Sequence, residues 1–166
     1  TTGEVGNTAV GYKAGHDITT AAASTFIGYQ AGENKTSATN NIAIGANAFS
    51  GTGTNISDCI AIGYQAMGDG FGNSSAGSGN VAIGRYALKS GIYASASVAV
   101  GYEALYGVLH DTFQTAVGYQ ALKGAGTTGV VKDGNVMFGW QKPVPLEYDP
   151  MVHGTDDNIS EIFRDS

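Results

Sequence analysis

A short apolar segment recurs along the chain at nearly constant spacing. Seven copies align without gaps: TAVGYKAG (8–15), TFIGYQAG (25–32), IAIGANAF (42–49), IAIGYQAM (60–67), VAIGRYAL (81–88), VAVGYEAL (98–105) and TAVGYQAL (115–122). Their shared glycines are 17, 17, 18, 21, 17 and 17 residues apart, and a degraded eighth copy, VMFGWQKP, follows 21 residues later. This regularity predicts a repeat architecture in which each unit packs on its neighbours.

Each copy places β-branched residues at alternate positions. Val or Ile precedes every glycine and Thr, Ile or Val stands two residues earlier, so both lie on one face of an extended strand. Alanine stands between them, with Phe26 as the exception, and its small side chain suits the close approach of another layer or another chain. The glycine is expected to turn the chain, through a positive φ or because no Cβ fits there. The structural glycines are Gly11, Gly28, Gly45, Gly63, Gly84, Gly101 and Gly118.

A unit of about 17 residues is too short to fold alone, but it can form two short strands and two corners, which make one coil of a solenoid. The glycine and β-branched residues in every copy disfavour a helical fold. We therefore predict an all-β fold, a parallel β-solenoid whose repeat domain spans 1–140, followed by a cap or tip segment at 141–166. A solenoid needs a cap over its open core, and Phe138 and Trp140 are the candidates.

Composition and charge disfavour several classes of partner. Charged residues make up only 13% of the chain, and much of the net charge of −6 lies in residues 147–166, which hold six acids and one base. Residues 1–146 are almost neutral, with eight acids and seven bases, so they offer no electrostatic footprint for nucleic acid or an anionic membrane. The single cysteine, Cys59, excludes an internal disulfide and is expected to be a small buried residue.

The sequence contains no motif that predicts catalysis. Residues 124–129 match G-x-G-x-x-G, but the strand and helix that a dinucleotide site requires are not predicted around them. His16, His110 and His153 stand alone and are expected in loops or interfaces. The acids within 156–161 could pair as glycosidases require, although a solvated acidic tail is favoured. We predict a protein that is not an enzyme and that uses no metal and no cofactor.

Tyrosine follows the glycine in five copies and should form a ladder along the stack. The five residues are Tyr12, Tyr29, Tyr64, Tyr102 and Tyr119. Ala46 interrupts this column, and Arg85-Tyr86 shifts it by one position. The ladder is expected to pack along the stack or against another chain, with saccharide binding as the alternative.

The repeat, A-[VI]-G-Y-x-A-L preceded by Asn, Ser or Thr, resembles two related families. The segments 80–84 (NVAIG) and 97–101 (SVAVG) resemble the N-S-V-A-I-G head repeats of trimeric autotransporter adhesins. With Tyr after the glycine and Ala-Leu beyond it, residues 7–140 are more similar to repeats of bacteriophage tail fibres and tailspikes. The resemblance implies a left-handed parallel β-roll, three chains side by side in a homotrimer, and binding to a cell surface.

By this resemblance, the chain is expected to be a host-attachment segment of a phage tail fibre. It would belong to the virion and bind a bacterial surface polysaccharide or outer-membrane protein, with no nucleic-acid partner and no membrane insertion. The alternatives are an adhesin head at a bacterial cell surface, a polysaccharide-degrading tailspike and a purely structural spacer.

Candidate receptor contacts lie where the repeat is broken. They are Phe71 and Asn73, in the insertion at 68–79, and Tyr148, His153, Asp156 and Asp157 in the C-terminal segment. Many similar phage fibres lose a C-terminal chaperone by self-cleavage beside a serine. Ser166 is therefore expected to be such a cleaved end, and an arbitrary boundary of the sequence is the alternative.

Overall fold

Eight three-residue strands form one parallel sheet. The computed structural model describes residues 6–53, 56–69, 77–91, 94–107, 112–124, 134 and 136–139. The strands are β1 (Thr8–Val10), β2 (Thr25–Ile27), β3 (Ile42–Ile44), β4 (Ile60–Ile62), β5 (Val81–Ile83), β6 (Val98–Val100), β7 (Thr115–Val117) and β8 (Val136–Phe138). Each pairs with the next strand in chain order. The predicted all-β parallel solenoid, with coils about 17 residues apart, is confirmed.

Equivalent residues of successive repeats lie opposite one another in the sheet. Ala43 faces Ala61 across the β3–β4 pair, for example, and Ala61 faces Ala82 across the next pair. The register survives the 21-residue spacing after β4, so the extra residues are accommodated outside the strands. Equivalent positions of the repeat are therefore stacked directly on one another, so each position forms a column of similar side chains along the solenoid.

Tight turns, instead of the expected second strand, complete each coil in the described residues. Positive φ angles recur at four positions of the coil in the described residues. They are the second residue before a strand and the second, fourth and sixth residues after its glycine, as at Ala23 (52°), Gln30 (53°), Phe49 (55°) and Asn34 (68°). Left-handed residues cannot continue an extended ladder. Their amides still pair between coils, since Gln30 N donates to Tyr12 O at 2.8 Å and Phe49 N donates to Ala66 O at 2.8 Å.

The glycine after each of the strands β1 to β7 is required for two physical reasons at once. Gly63 has a φ of +128°, which L side chains rarely adopt, and a Cβ on it would lie 2.6 Å from the carbonyl oxygen of Gly84 in the next coil. The same clash with the next coil recurs along the column, at Gly11, Gly28, Gly45, Gly84, Gly101 and Gly118. Successive coils thus approach each other backbone to backbone at these corners.

Small side chains fill the interior, with about one larger residue in each coil. The central alanines of the strands, such as Ala43 and Ala61, are fully buried. The larger core residues include Phe49, Met67, Leu88 and Leu105, all four residues after the strand glycine.

The second coil carries its large residue elsewhere. Phe26 occupies the central strand position, whereas Gly15 and Gly32 stand where other coils have a large side chain. A Cβ on Gly32 would lie 2.0 Å from the Phe26 ring, so the two positions share one volume. The core stays close-packed because the large side chain at the central strand position is compensated by glycine four residues after the strand glycine.

The described sheet ends at β8. Met137 packs against the core, and side chains alternate along a strand, so its neighbour Phe138 points outward and is 65% exposed. The cap role expected for Phe138 stays a prediction, because the segment after Gly139 lies outside the described residues. The second expected cap residue, Trp140, lies outside the described residues.

The residues before strands β2 to β7 are buried, and all are polar except Cys59; they tie the coils together. Asn41 Oδ1 accepts a hydrogen bond from Cys59 N at 2.9 Å, and Asn41 Nδ2 donates to Ile56 O at 3.0 Å. Ser24 Oγ accepts from Asn41 N at 3.0 Å. The side chains at this position thus satisfy backbone amides of the next coil.

Replacing Gly63 by alanine should destabilise the solenoid by about 3 kcal/mol or more, because the added Cβ meets immovable backbone and the φ is strained. The matched control is Gly107→Ala. Gly107 also has a positive φ (+75°) but has nothing within 4 Å of its Cβ position, so only the backbone strain of about 1 kcal/mol should appear. Urea unfolding followed by circular dichroism measures both variants. Equal losses of unfolding free energy in the two variants would contradict the close approach of the coils at Gly63.

Candidate functional site

The first and third residues of the strands form an apolar surface, here called the outer sheet face. It consists of Thr8, Val10, Thr25, Ile27, Ile42, Ile44, Ile60, Ile62, Val81, Ile83, Val98, Val100, Thr115, Val117, Val136 and Phe138. Val10 is 57% exposed and Ile44 36%, although such side chains are usually buried. The central strand residues point to the core, so the sheet presents its bulkier β-branched side chains to the outside.

The tyrosine column lies at the corner beside the outer sheet face, directly after the strand glycines. The rings of Tyr12 and Tyr29 stack with centroids 5.3 Å apart, and those of Tyr102 and Tyr119 stack at 5.2 Å. Tyr12 is 62% exposed and Tyr119 53%. The expected ladder is therefore present as two stacked pairs, and its rings remain accessible in the single chain.

Ion pairs between neighbouring coils flank this column. Lys13 Nζ lies 3.4 Å from Glu33 Oε1, and Lys123 Nζ donates to Glu103 Oε2. Gln120 also donates to Glu103 Oε2, at 2.7 Å. Burial alone would raise the pKa of Glu103, but the hydrogen bonds from Lys123 and Gln120 outweigh it and lower that pKa. Glu103 is thus held ionised and paired, which does not suit a general acid.

The middle of the column departs from the tyrosine pattern. Ala46 lacks a ring, and Arg85 replaces tyrosine in the fifth coil while Tyr86 occupies the next position. The Tyr86 ring contacts the Tyr64 ring edge to face, with centroids 5.5 Å apart. An exposed guanidinium here lies among several phenol rings, and this is the chemically most distinctive part of the described surface.

A shallow groove of about 620 Å³ lies on the loop side of the first three coils. His16, Asp17, Asn34, Thr36 and Thr52 contribute to its lining. His16 Nδ1 lies 2.8 Å from Asp17 Oδ1, and both side chains are substantially exposed. This surface can exchange hydrogen bonds with a ligand, but it is open to water and gathers no nucleophile with a base.

The interior holds a lysine that sequence reasoning did not single out. Lys35 is fully buried, and its Nζ donates to the carbonyls of Gly51 and Gly53 and lies 4.5 Å from the centroid of the Phe49 ring. Burial lowers the pKa of Lys35 to about 7. The chain between two repeats carries no apolar pattern there, so no sequence signal indicated this burial.

Cys59 lies in the buried polar column and is 1% exposed. Its Sγ takes the place that serine oxygen has in other coils, with Ser57 O at 3.3 Å and Gly77 O at 3.4 Å. Burial raises the pKa of Cys59 to about 11, so the thiol stays protonated near neutral pH. This environment agrees with the expected buried, unreactive cysteine.

The candidate receptor contacts lie outside the residues that the structure describes. They are Phe71, Asn73, Tyr148, His153, Asp156 and Asp157, and the expected cleaved end, Ser166, lies outside as well. Among the part of the chain that the structure describes, no three His, Cys, Asp or Glu side chains form a metal-binding group. No described helix is long and apolar enough to cross a membrane. The candidate site is therefore a set of surfaces: the outer sheet face, the tyrosine column and the groove.

Comparison with known proteins gives no match. No family model fits the chain, and no curated protein or solved structure is significantly similar to it. What the molecule does must therefore be argued from its own surfaces.

The stability of the fold should depend on pH through Lys35. Its pKa is about 7 when folded and near 10.5 when unfolded, so between these values the unfolded chain binds more protons and stability rises with pH. The Lys35→Met variant should lose this increase of stability with pH, which amounts to a few kcal/mol at most. Urea unfolding of both proteins from pH 6 to pH 10 measures the difference. Parallel stability curves would show that Lys35 titrates normally.

Proposed function

We propose that this chain is a structural, surface-binding segment of a homotrimeric fibre and that it attaches a phage tail to a bacterial surface. Each chain would be a left-handed β-roll packed side by side with two copies. The ligand would be a surface polysaccharide or an outer-membrane protein. The outer sheet face carries the proposal, because a stripe of exposed and partly exposed Val and Ile along the sheet is typical of a surface that binds a partner.

The outer sheet face is comparable in size with the largest apolar patch of a typical monomer. Eight strands about 4.8 Å apart and three residues wide give a footprint of roughly 300 Å². Apolar patches of about 300–600 Å² are the largest that a typical monomer exposes and are often functional. The stripe is long and narrow, so its partner must be long as well.

A second copy of the chain is the partner that matches this stripe. The side chains of the stripe repeat once per coil along the sheet. A second solenoid with the same repeat carries rows of side chains with the same spacing between coils. Val and Ile rows of one copy can then pack between those of another along the full length. The number three and the left-handed coil come from the resemblance to phage fibres and adhesin heads.

Attachment is the role that this architecture supports better than catalysis. Packing the outer sheet faces together leaves the groove at the loop side on the exterior. Of the described residues that line the groove, one is an acid, Asp17, which lies beside His16, and this does not supply the pair of carboxylates that glycosidases require. The tailspike alternative differs in one respect, since it requires release of saccharide fragments.

Placing glutamate at Ile44 and Ile62 should convert a trimer to monomers, because each interface would bury several unpaired carboxylates at a cost of several kcal/mol. Light scattering on a sizing column measures the mass. The control Ser37→Glu adds a charge to an exposed residue on the loop side and should leave the trimer intact. A wild-type mass of one chain would overturn the trimeric proposal.

The wild-type trimer should adsorb to some bacteria in a panel of strains with different envelope polysaccharides. Fluorescently labelled protein and cell sedimentation measure this adsorption. Adsorption should be lost with strains that lack the relevant polysaccharide or protein, and the medium should contain no released reducing ends. Release of reducing ends would instead establish the tailspike alternative, and a stable trimer that adsorbs to no strain would indicate a spacer.

A further inference from the structure

The fifth coil exchanges two surface residues relative to its neighbours. Arg85 stands where five other coils carry tyrosine, and Tyr86 stands where those coils carry Lys, Gln or Glu. Tyr86 has a φ of +60°, the left-handed conformation that the equivalent residue also adopts in the other coils, such as Gln65 (52°) and Glu103 (53°). The exchange therefore changes the surface side chains of this coil and leaves its backbone as in its neighbours.

The exchange surrounds one guanidinium with aromatic rings. The Arg85 Cζ lies 4.8 Å from the ring centroid of Tyr86, 5.5 Å from that of Tyr64 and 6.0 Å from that of Tyr102. Arg85 Nη2 donates to the Tyr86 hydroxyl at 3.2 Å. Cation–π contact and this hydrogen bond orient the guanidinium while leaving it exposed.

Arg85 differs from the other cations at the surface of the described residues, which are partly or fully exposed. Lys13, Lys89 and Lys123 each lie within 4 Å of a carboxylate, those of Glu33, Asp69 and Glu103 respectively. Arg85 has no carboxylate within that distance among the residues that the structure describes. Most of its five N–H donors therefore remain available to a ligand.

We propose that Arg85, Tyr64, Tyr86 and Tyr102 form a binding site for an acidic sugar, a pyranose that carries a carboxylate. The guanidinium binds the carboxylate through two parallel hydrogen bonds. The phenol rings offer apolar faces against which the sugar ring packs and hydroxyl groups that bind its oxygens. The proposal rests on the proposed surface-binding function and assigns its ligand class.

The charges around the site favour a saccharide with isolated acidic units over a nucleic acid. Single-stranded nucleic acid also uses aromatic and cationic side chains, but it requires a positively charged groove along its backbone. Here the neighbouring lysines are neutralised, and the chain carries a net charge of −6. A single guanidinium without a carboxylate partner suits a saccharide whose repeating unit carries one carboxylate and is otherwise neutral.

The probe is a hyaluronan hexasaccharide, in which carboxylate-bearing pyranoses alternate with neutral ones. Isothermal titration calorimetry of the wild-type protein should detect binding that weakens as salt is added. The same oligosaccharide with its carboxylates reduced to alcohols should bind at least about tenfold more weakly, because the charge-assisted hydrogen bonds are lost.

Two variants separate the charge from the rings. Arg85→Gln should weaken binding of the acidic hexasaccharide at least about tenfold. Arg85→Tyr, which restores the residue of the other coils, should show the same loss and should fold, because the position is exposed. The matched control Lys13→Gln removes a cation that lies 5.9 Å from the Tyr12 ring but is paired with Glu33, and binding should not change. Thermal melts check that every variant folds.

The experiments distinguish a wrong assignment of the acidic-sugar site from a wrong assignment of the surface-binding function. The site is overturned if wild type does not bind the acidic hexasaccharide, if Arg85→Gln binds it as wild type does, or if the reduced form binds equally well. Tighter binding of single-stranded DNA through Arg85 would also overturn it. In all these cases adsorption of the wild-type trimer to bacteria leaves the proposed function standing, whereas absence of adsorption to every strain contradicts that function.

Discussion

The close approach of successive coils at the strand glycines is the constraint on which the rest of the structure depends. At each corner a glycine α-carbon lies so near the carbonyl of the next glycine that no side chain fits between them. This contact keeps equivalent residues opposite each other and lets the amides of one coil pair with carbonyls of the next. Columns of like residues follow directly, including the buried polar column that contains Asn41 and Asn80.

The interior of each coil is largely filled by one large residue such as Leu88, and this determines which strand face lies outside. Alanine fits the narrow space between the two sides of a coil, so the alanine face of each strand turns inward. The β-branched face then has no room inside and turns outward, where Ile27 and Ile83 remain partly exposed. A row of apolar side chains thus lies on the surface in addition to those in the core, and covering this row would lower the free energy.

Much of the fold followed from the sequence because its period is a property of the chain alone. The repeat length, the parallel stacking and the turning glycines all depend on residues that recur in order. The direction of the two strand faces could not be predicted, because both faces are apolar and hydrophobicity does not distinguish them. The return by turns depends on left-handed residues such as Gln30 and Leu88, for which side-chain type gives little indication. Burial of Lys35 depends on carbonyls at Gly51 and Gly53, in a loop without periodicity.

The arrangement also explains where specificity can arise. Each coil contacts mainly the coils before and after it, so an exposed residue can change in one coil without disturbing the rest. The buried columns tolerate little, as the compensation between Phe26 and Gly32 shows. Residues that break an exposed column therefore carry more information about binding than residues that maintain it. Arg85 and Tyr86 break the tyrosine column while the buried Ala87 and Leu88 beside them keep to the pattern. The fold is thus conserved in that coil while its surface chemistry changes, as expected when a binding site is built on a repetitive scaffold.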